Sequence, residues 1–335
     1  MRPLLAPHFC STLRLGYRCS RQVSTTAGNS ASNAVLQLLD QHKGRTTTRR
    51  QVLDGNQLQK LSLTLNRPQL HRDLDVSETA PANGTPLPPG YHLVYFTPNG
   101  TEIDLGSDGT DRSFNAPAPF TRRMWAGGRV KWTKGHPLRV GEEVEERTAL
   151  LAAEPKKSRD GAEMIVVTVQ KEFWGTQGLS LVDERSWIFR TELPEPSQNT
   201  SVLTMLITEP TNVQTIEPSS NGFPERQMKW SPISLFRFSA LTFNAHRIHY
   251  DAAWSQGVEN HPGIVVHGPL NLINLLDYWR DVHGAEPSEI RYKLLSPIYS
   301  GEPYKIKTLP GEQPGKVDVS IVKNSTVCVK AQISE

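Results

Sequence analysis

The sequence predicts an α+β fold built from two copies of one strand-rich unit. The first observation is an internal repeat, in which Pro137–Glu142 (PLRVGE) recurs 160 residues later as Pro297–Glu302 (PIYSGE). The second is a set of alternating apolar runs that flank both copies, as strands do around a turn. The third is an amphipathic stretch at 269–280, whose proline in the first turn is typical of a helix start.

The first unit begins with a helical pattern and continues into strands. Residues 40–66 carry leucines at helical spacing, with Asp54 as a candidate N-cap. A Pro-rich connection follows at 67–89, then a strand predicted at 91–96 and a long loop at 97–121.

The strands around the repeated turn are predicted at the same offset in both units. Val130 and Trp132 fall on Ile290 and Tyr292, so an alternating strand leads into the turn each time. Further strands are predicted at 144–151, 164–170, 304–309 and 317–321.

The first 39 residues differ from the rest of the chain in composition. They contain four arginines, no lysine and no acidic residue, and many Ser, Thr and Ala, which is typical of a mitochondrial transit peptide. Without those arginines the chain has 33 basic against 34 acidic residues, a net charge of −1. Two of the three cysteines also lie here, so Cys328 would have no partner for an internal disulfide. We therefore expect a protein of the mitochondrial matrix.

Several classes of protein are excluded by composition. The chain has no basic stripe and no nucleic-acid-binding motif. It also has no apolar run approaching the ~20 residues that a membrane span requires. We therefore expect neither a nucleic-acid partner nor a membrane span.

The densest group of polar side chains lies in residues 238–251, FSALTFNAHRIHYD. Polar groups placed between apolar walls are costly to bury unless each is paired or used. A second segment, GIVVHGPL at 263–270, reads as a strand that ends in His267-Gly268 and leads into the predicted helix. Together the two segments predict a functional site.

The first segment resembles the active-site motif of MaoC-like (type 2) enoyl-thioester hydratases, F-A-x-L-S-G-D-x-N-P-L-H-x-D. In an ungapped comparison Phe238 matches and His249 falls on the motif's histidine, while Asn244 stands at its Asp and His246 at its Asn. A comparison with a two-residue insertion instead places Asn244 on the motif's Asn and Thr242 on its Asp. The variant is most similar to fungal mitochondrial hydroxyacyl-thioester dehydratases type 2 and bacterial mesaconyl-CoA hydratases.

This resemblance implies a double hot-dog: two tandem hot-dog units, each an antiparallel sheet wrapped around a central helix. The boundaries expected from it are a transit peptide and flexible start at 1–39, a degenerate N-terminal hot-dog at 40–190, a linker at 191–229, and a catalytic hot-dog at 230–335.

The resemblance also implies three catalytic roles. His249 would exchange protons with the substrate, since histidine titrates in the useful pH range. The backbone N–H of Gly268, at the start of a helix, would polarise the thioester carbonyl. Asn244 cannot accept a proton at neutral pH, but its amide can orient water or the leaving hydroxyl.

Candidate substrate-binding residues lie next to the motif and in the block RRMWAGG at 122–128, which also resembles the family. Arginines there could pair with the phosphates of coenzyme A or phosphopantetheine. A strand or packing role is the alternative for each candidate, and an N-cap for Asp251. The candidates are His246, Arg247, Asp251, His267, Arg122 and Arg123.

Three functions fit these residues. One is a (3R)-hydroxyacyl-thioester dehydratase of mitochondrial type II fatty-acid synthesis, acting on an acyl-carrier-protein or coenzyme A thioester. Another is a hydratase of a short dicarboxylyl-CoA such as itaconyl- or mesaconyl-CoA, which a cation facing the distal carboxylate would indicate. The third is a non-catalytic thioester-binding protein. The oligomeric state is not predicted, and a homodimer is one alternative.

No cofactor is predicted, because dehydration of a thioester requires none. The spacing His246-x-x-His249, with His261 and His267, offers four possible metal ligands. That spacing lacks the glutamate of the zinc-protease motif, so no metal is predicted.

Overall fold

The computed structural model describes residues 30–193, 209–217, 222–309 and 315–335. The first half contains α1 (Ala31–His42), β1 (Thr46–Val52), α2 (Gly55–Thr64), β2 (Gln69–His71), β3 (Leu74–Asp75), β4 (Arg122–Trp132), β5 (Glu143–Lys157), β6 (Glu163–Gly175) and β7 (Gly178–Arg190). The second half contains β8 (Asn212–Ile216), β9 (Glu225–Lys229), α3 (Pro232–Leu241), α4 (Ala252–Gly257), α5 (Gly268–His283), β10 (Glu289–Leu294), β11 (Tyr304–Leu309), β12 (Lys316–Lys323) and β13 (Thr326–Ser334). Short 3-10 helices lie at Tyr91–Val94, Glu102–Asp104 and Arg247–His249.

The strands of both halves form one antiparallel sheet of eleven strands, in the order β1-β5-β6-β7-β4-β10-β13-β12-β11-β9-β8. The β4–β10 pair joins the halves, and on either side of it the strands follow the same sequence of connections. Two hot-dog sheets are therefore fused edge to edge, and the fold is the predicted double hot-dog.

An approximate two-fold axis passes through the β4–β10 pair. Val130 and Ile290, which the repeat equates, are direct cross-strand partners, and neither is exposed to solvent. The repeated turns also match in detail, since Gly141 and Gly301 both have φ of 80°. Their N–H groups bond to equivalent carbonyls, of Leu53 at 2.8 Å and of Trp230 at 2.9 Å. The repeat seen in the sequence is confirmed.

Among the described residues, only the second half contains a long central helix. Eleven of the sixteen residues of α5 are buried; the helix starts with Pro269 in its first turn and ends at Gly284, whose φ is 68°. Between α2 and β4 the helices of the first half are 3-10 helices, and the first of them packs beside α5, with the Tyr91 hydroxyl bonded to Asp277 at 3.1 Å. The inner face of the first sheet therefore has no equivalent of α5: α1 packs on one end of it and residues 91–96 pack on the other.

Several expectations from the sequence differ from the structure. The run at 263–267, predicted as a strand, forms only an isolated bridge from Val265 to Tyr299. Residues 91–94 form a 3-10 helix rather than a strand, because all four side chains are buried and none alternates towards solvent. The expected linker 191–229 contains β8 and β9, and β9 pairs with β11 in the sheet. Residues 31–39, assigned to the flexible start, lie in α1, which has a buried apolar face against β5 and β6.

The helical pattern at 40–66 is interrupted by β1, and the helix itself is α2. Asp54 caps it as predicted, accepting a hydrogen bond from the Asn56 N–H. Within the described ranges, no helix is long and apolar enough to cross a membrane.

Candidate active site

A cavity of about 560 Å³ lies between the inner face of the first sheet and the polar segment of the second half. Five of the nine candidate site residues line it, namely Asn244, His246, His249, Gly268 and Arg123. The structure therefore brings both polar segments of the second half, and one arginine of the first, to a single space.

His249 ends a 3-10 helix and is buried against the wall of this cavity. Its Nδ1–H donates to the Val265 carbonyl at 2.8 Å, which fixes the tautomer and leaves Nε2 as the free nitrogen. Burial and, as the second cause, the neighbouring His246 lower the pKa of His249 to about 3. The imidazole is therefore neutral at pH 7, with an available lone pair.

Three imidazoles pack together here and are called the histidine cluster: His246, His249 and His267. The rings of His249 and His267 stack at 3.7 Å and 19°, and that of His246 meets His249 edge-on at 5.4 Å. His267 is fully buried, with Nε2 at 2.8 Å from the Ser239 hydroxyl and Nδ1 without a partner. Burial is the largest cause that lowers the pKa of each member, so the cluster is uncharged.

Gly268 is the first residue of α5, directly after His267. Its N–H makes no hydrogen bond within the described part of the chain, and it lies at the positive end of the helix dipole. A Cβ at this position would lie 2.8 Å from Cγ of Trp125 and 3.0 Å from Leu294. Close packing of the indole therefore requires glycine here, in addition to any approach of a ligand.

Asn244 lies at a sharp turn that follows α3. The preceding residue, Phe243, has a φ of 48°, a left-handed conformation that is unusual for an aromatic residue. The Asn244 side-chain oxygen accepts the His246 N–H at 3.1 Å. The oxygen is thus used to hold the turn, and the amide nitrogen is the group available to a ligand.

A loop of the first half supports this turn and was not anticipated from the sequence. Asp108 accepts the Arg247 N–H through its backbone carbonyl at 2.8 Å, and its carboxylate lies 3.6 Å from His246 Nε2. Gly109 packs so closely that a Cβ would lie 2.0 Å from the Ala245 carbonyl oxygen. A carboxylate therefore approaches the histidine cluster from the other half, although Asn244 replaces the motif's acid.

Four predicted substrate-binding residues do not line the cavity, and one of them is His267, which is fully buried in the histidine cluster. Arg122 is paired with Glu259 at 2.7 Å. Arg247 is paired with Asp251 at 2.6 Å and stacks over an indole of α4. Asp251 also caps α4 by accepting the Trp254 N–H at 2.9 Å, which is the capping alternative given above.

Arg123 lines the cavity but is already engaged. It donates to the Asp111 carbonyl at 2.7 Å, and its guanidinium lies 4.0 Å from the Trp187 ring centroid. Burial lowers the pKa of Arg123 to about 10, so the side chain is charged at neutral pH.

The described residues contain no group of three or more His, Cys, Asp or Glu side chains placed to hold a metal ion. The face-to-face stack of His249 and His267 directs their nitrogens side by side rather than towards one point.

Comparison with known proteins identifies the family. The sequence profile of the hydroxyacyl-thioester dehydratase type 2 family matches residues 90–300. The chain belongs to this family. It is an enzyme of the hydro-lyase class, as the names of its relatives also indicate.

Two relatives and one solved structure illustrate the likeness. Mesaconyl-C(4)-CoA hydratase of Chloroflexus aurantiacus is 33% identical over 240 residues, 71% of this chain and 80% of that protein. The mitochondrial hydroxyacyl-thioester dehydratase type 2 of Schizosaccharomyces pombe is 28% identical over 246 residues, 68% and 79% of the two chains. A Mycobacterium tuberculosis protein with a double hot-dog fold superposes with a TM-score of 0.51 at 12% identity, over 89% of this chain and 97% of that one.

Proposed function

We propose that the chain catalyses the reversible dehydration of a (3R)-3-hydroxyacyl thioester to the enoyl thioester, with His249 as the acid–base residue. The single observation that carries this proposal is the free Nε2 of His249. Its tautomer is fixed by Val265, and it lies in the same cavity as the unpaired N–H of Gly268.

The thioester oxygen would accept the Gly268 N–H, which stabilises the negative charge that develops there as the α-proton leaves. His249 Nε2 would take the α-proton and then return it to the departing β-hydroxyl, which leaves as water. Burial holds the ring neutral before reaction, and the developing enolate beside it would stabilise the imidazolium. The amide nitrogen of Asn244 would orient the hydroxyl or, in the reverse direction, the attacking water.

The mitochondrial matrix and an acyl-carrier-protein or coenzyme A carrier are parts of the same proposal. Support comes from the composition of residues 1–39 and from the mitochondrial name of the fission-yeast relative. Residues 1–29 lie outside the described residues. A role in type II fatty-acid synthesis would require a cavity that accepts a growing alkyl chain.

One observation favours the second candidate, a hydratase of a short dicarboxylyl-CoA. Among the described residues that line the cavity, five side chains are cationic and two are carboxylates. A long alkyl chain would desolvate these charges without pairing them, whereas a second carboxylate would pair with one. The relative from Chloroflexus, named for a dicarboxylyl thioester, supports the same candidate. The cations are Arg49, Arg123, Lys171, Arg185 and Arg190.

The experiment is a hydration assay on the purified protein with crotonyl-CoA, a long-chain enoyl-CoA and itaconyl-CoA, using His249→Ala as the inactive control. We expect turnover of at least one ester by the wild type and a loss of about 10²–10⁴-fold in the variant. A folded wild type that binds these esters but hydrates none would overturn the proposal and indicate the non-catalytic alternative.

A further inference from the structure

Five charged side chains on the inner face of the first sheet, two buried carboxylates and three partly buried cations, are not used by the proposed reaction. We call them the charged layer; its members come from β1, β5, β6 and β7 and are Arg49, Glu146, Lys171, Asp183 and Arg185. Four of them line the cavity and Asp183 lies behind Arg185. In the second half, α5 covers the equivalent face of the sheet.

The ion pairs of the layer leave one positive charge in excess. Glu146 pairs with both Arg49, at 2.9 Å, and Lys171, at 2.8 Å. Asp183 pairs with Arg185 at 2.7 Å, and its other neighbour, His92, has its pKa lowered by burial and is neutral. Three cations therefore face two carboxylates. An uncompensated charge is costly to bury unless a ligand neutralises it.

Lys171 and Arg185 both have hydrogen-bond donors that are not used within the charged layer. Lys171 Nζ uses two of its three donors, on Glu146 and on the Thr148 hydroxyl at 3.3 Å. Arg185 uses Nε and Nη2 on Asp183, and its Nη1 has no partner among the described residues. Burial and, as the second cause, the charge of Arg185 lower the pKa of Lys171 to about 8.

The layer lies a short distance from the reacting centre. The Trp125 indole packs against Gly268, where the thioester oxygen would bind. The guanidinium of Arg185 lies 5.7 Å from the centroid of the same indole. An acyl group that starts at Gly268 and passes Trp125 therefore reaches the charged layer after a few carbon atoms.

We propose that Lys171 and Arg185 bind a carboxylate at the distal end of a short acyl group, which makes the thioester of a short dicarboxylic acid the preferred substrate. This inference rests on the proposed function, because it takes the thioester position from Gly268. The carboxylate adds the third negative charge and accepts the spare donors of both cations.

The test compares three enoyl-CoA esters whose terminal group is separated from the double bond by a methylene: 2-pentenoyl-CoA, its analogue with a carboxylate in place of the terminal methyl, and the methyl ester of that analogue. Arg185 is unsuitable for substitution because its loss would leave the buried Asp183 without a cation. Lys171→Gln is suitable, because Glu146 keeps Arg49 and the new amide still reaches Glu146 and Thr148. Lys171→Arg restores the charge, and the exposed Lys131→Gln on β4 is the matched control.

We expect the wild type to prefer the carboxylate ester over its methyl ester by about tenfold or more in kcat/KM, the effect of a charge-assisted hydrogen bond. Lys171→Gln should reduce this preference by about tenfold, Lys171→Arg should recover part of it, and Lys131→Gln should leave it as in the wild type. Thermal unfolding checks that each variant is folded.

The results that would contradict the inference can be distinguished from those that would contradict the proposed function. Hydration of 2-pentenoyl-CoA without preference for the carboxylate, an equal effect of Lys171→Gln on all three esters, or hydration of a long-chain enoyl-CoA alone would overturn the inference and leave the proposed function standing. Absence of hydration of these three esters and of the long-chain enoyl-CoA by the folded wild type would overturn both.

Discussion

Replacing His249 by asparagine should abolish turnover while preserving the fold. The asparagine amide can donate to the Val265 carbonyl in place of Nδ1–H, whose bond is 2.8 Å long. The variant loses Nε2, the only nitrogen of the ring that is free for proton transfer. Removal of a general acid–base typically costs 10²–10⁴-fold in rate, or about 3–5 kcal/mol in activation free energy.

A second substitution, His249→Leu, separates catalysis from stability. Leucine fills the ring volume but leaves the buried Val265 carbonyl unpaired, at a cost of about 1–3 kcal/mol. Asparagine should lose only the ring contacts, including the 3.7 Å stack on His267, or about 1 kcal/mol. Both variants should be inactive, and only the leucine variant should unfold at a clearly lower denaturant concentration.

His283→Asn is the matched control. This imidazole stacks on Trp279 at 4.1 Å and bonds to Thr308 at 2.9 Å, at the opposite end of α5 from the cavity. Its loss removes similar contacts and should leave kcat/KM for the best enoyl-CoA within a few-fold of the wild type. The reasoning is refuted if His249→Asn is folded and keeps more than about a tenth of wild-type activity, since acid–base loss should cost at least 10²-fold.

Three further predictions follow from the site. Gly268→Ala places a Cβ 2.8 Å from Trp125 and should lower both the melting temperature and kcat/KM. The overpacking should reduce the free energy of unfolding by about 1–3 kcal/mol. As a control, Gly263→Ala meets no atom within 4 Å and should change neither. Asp251→Ala removes the cap of α4 and should cost about 1 kcal/mol in denaturant unfolding, with kcat/KM little changed because Asp251 does not line the cavity; a selective rise in KM would contradict this placement. Acid should destabilise the protein through the histidine cluster, whose members have lowered pKa values when folded and ordinary values near 6.5 when unfolded. Because the unfolded state then binds more protons below about pH 6.5, each member should lower the free energy of unfolding by about 1.4 kcal/mol per pH unit, down to its folded pKa. Denaturant titrations at several pH values would check this.

The features that were predicted well are those encoded locally in the chain. The turn at Gly141 and Gly301 could be inferred because its proline and glycine recur at fixed spacing. The cap at Asp54 and the start of α5 at Gly268 follow from side chains within one helical turn. His249 could be singled out because the motif around it is contiguous.

The features that were missed depend on contacts between distant parts of the chain. Glu146, Lys171 and Arg185 each lie in an alternating strand, where a charged residue ordinarily faces solvent. Here they face the cavity instead, because the described residues place no α-helix over this part of the sheet, and the local sequence pattern does not predict that absence. Asp108 likewise lies in a polar loop and gains its position from packing against the turn of the second half.

Among the described residues, a long central helix packs on the second hot-dog sheet and none packs on the first, so the two halves of the chain are suited to different roles. The described residues offer the helix start and the histidine cluster only in the second half, so under the proposed function a backbone with two-fold symmetry would have one reaction centre there. The inner face of the first sheet would supply walls that the acyl group touches. Substitutions on β5–β7 could therefore change which acids are accepted while the proton-transfer apparatus is untouched, and selectivity could diverge in this lineage without cost to the chemistry.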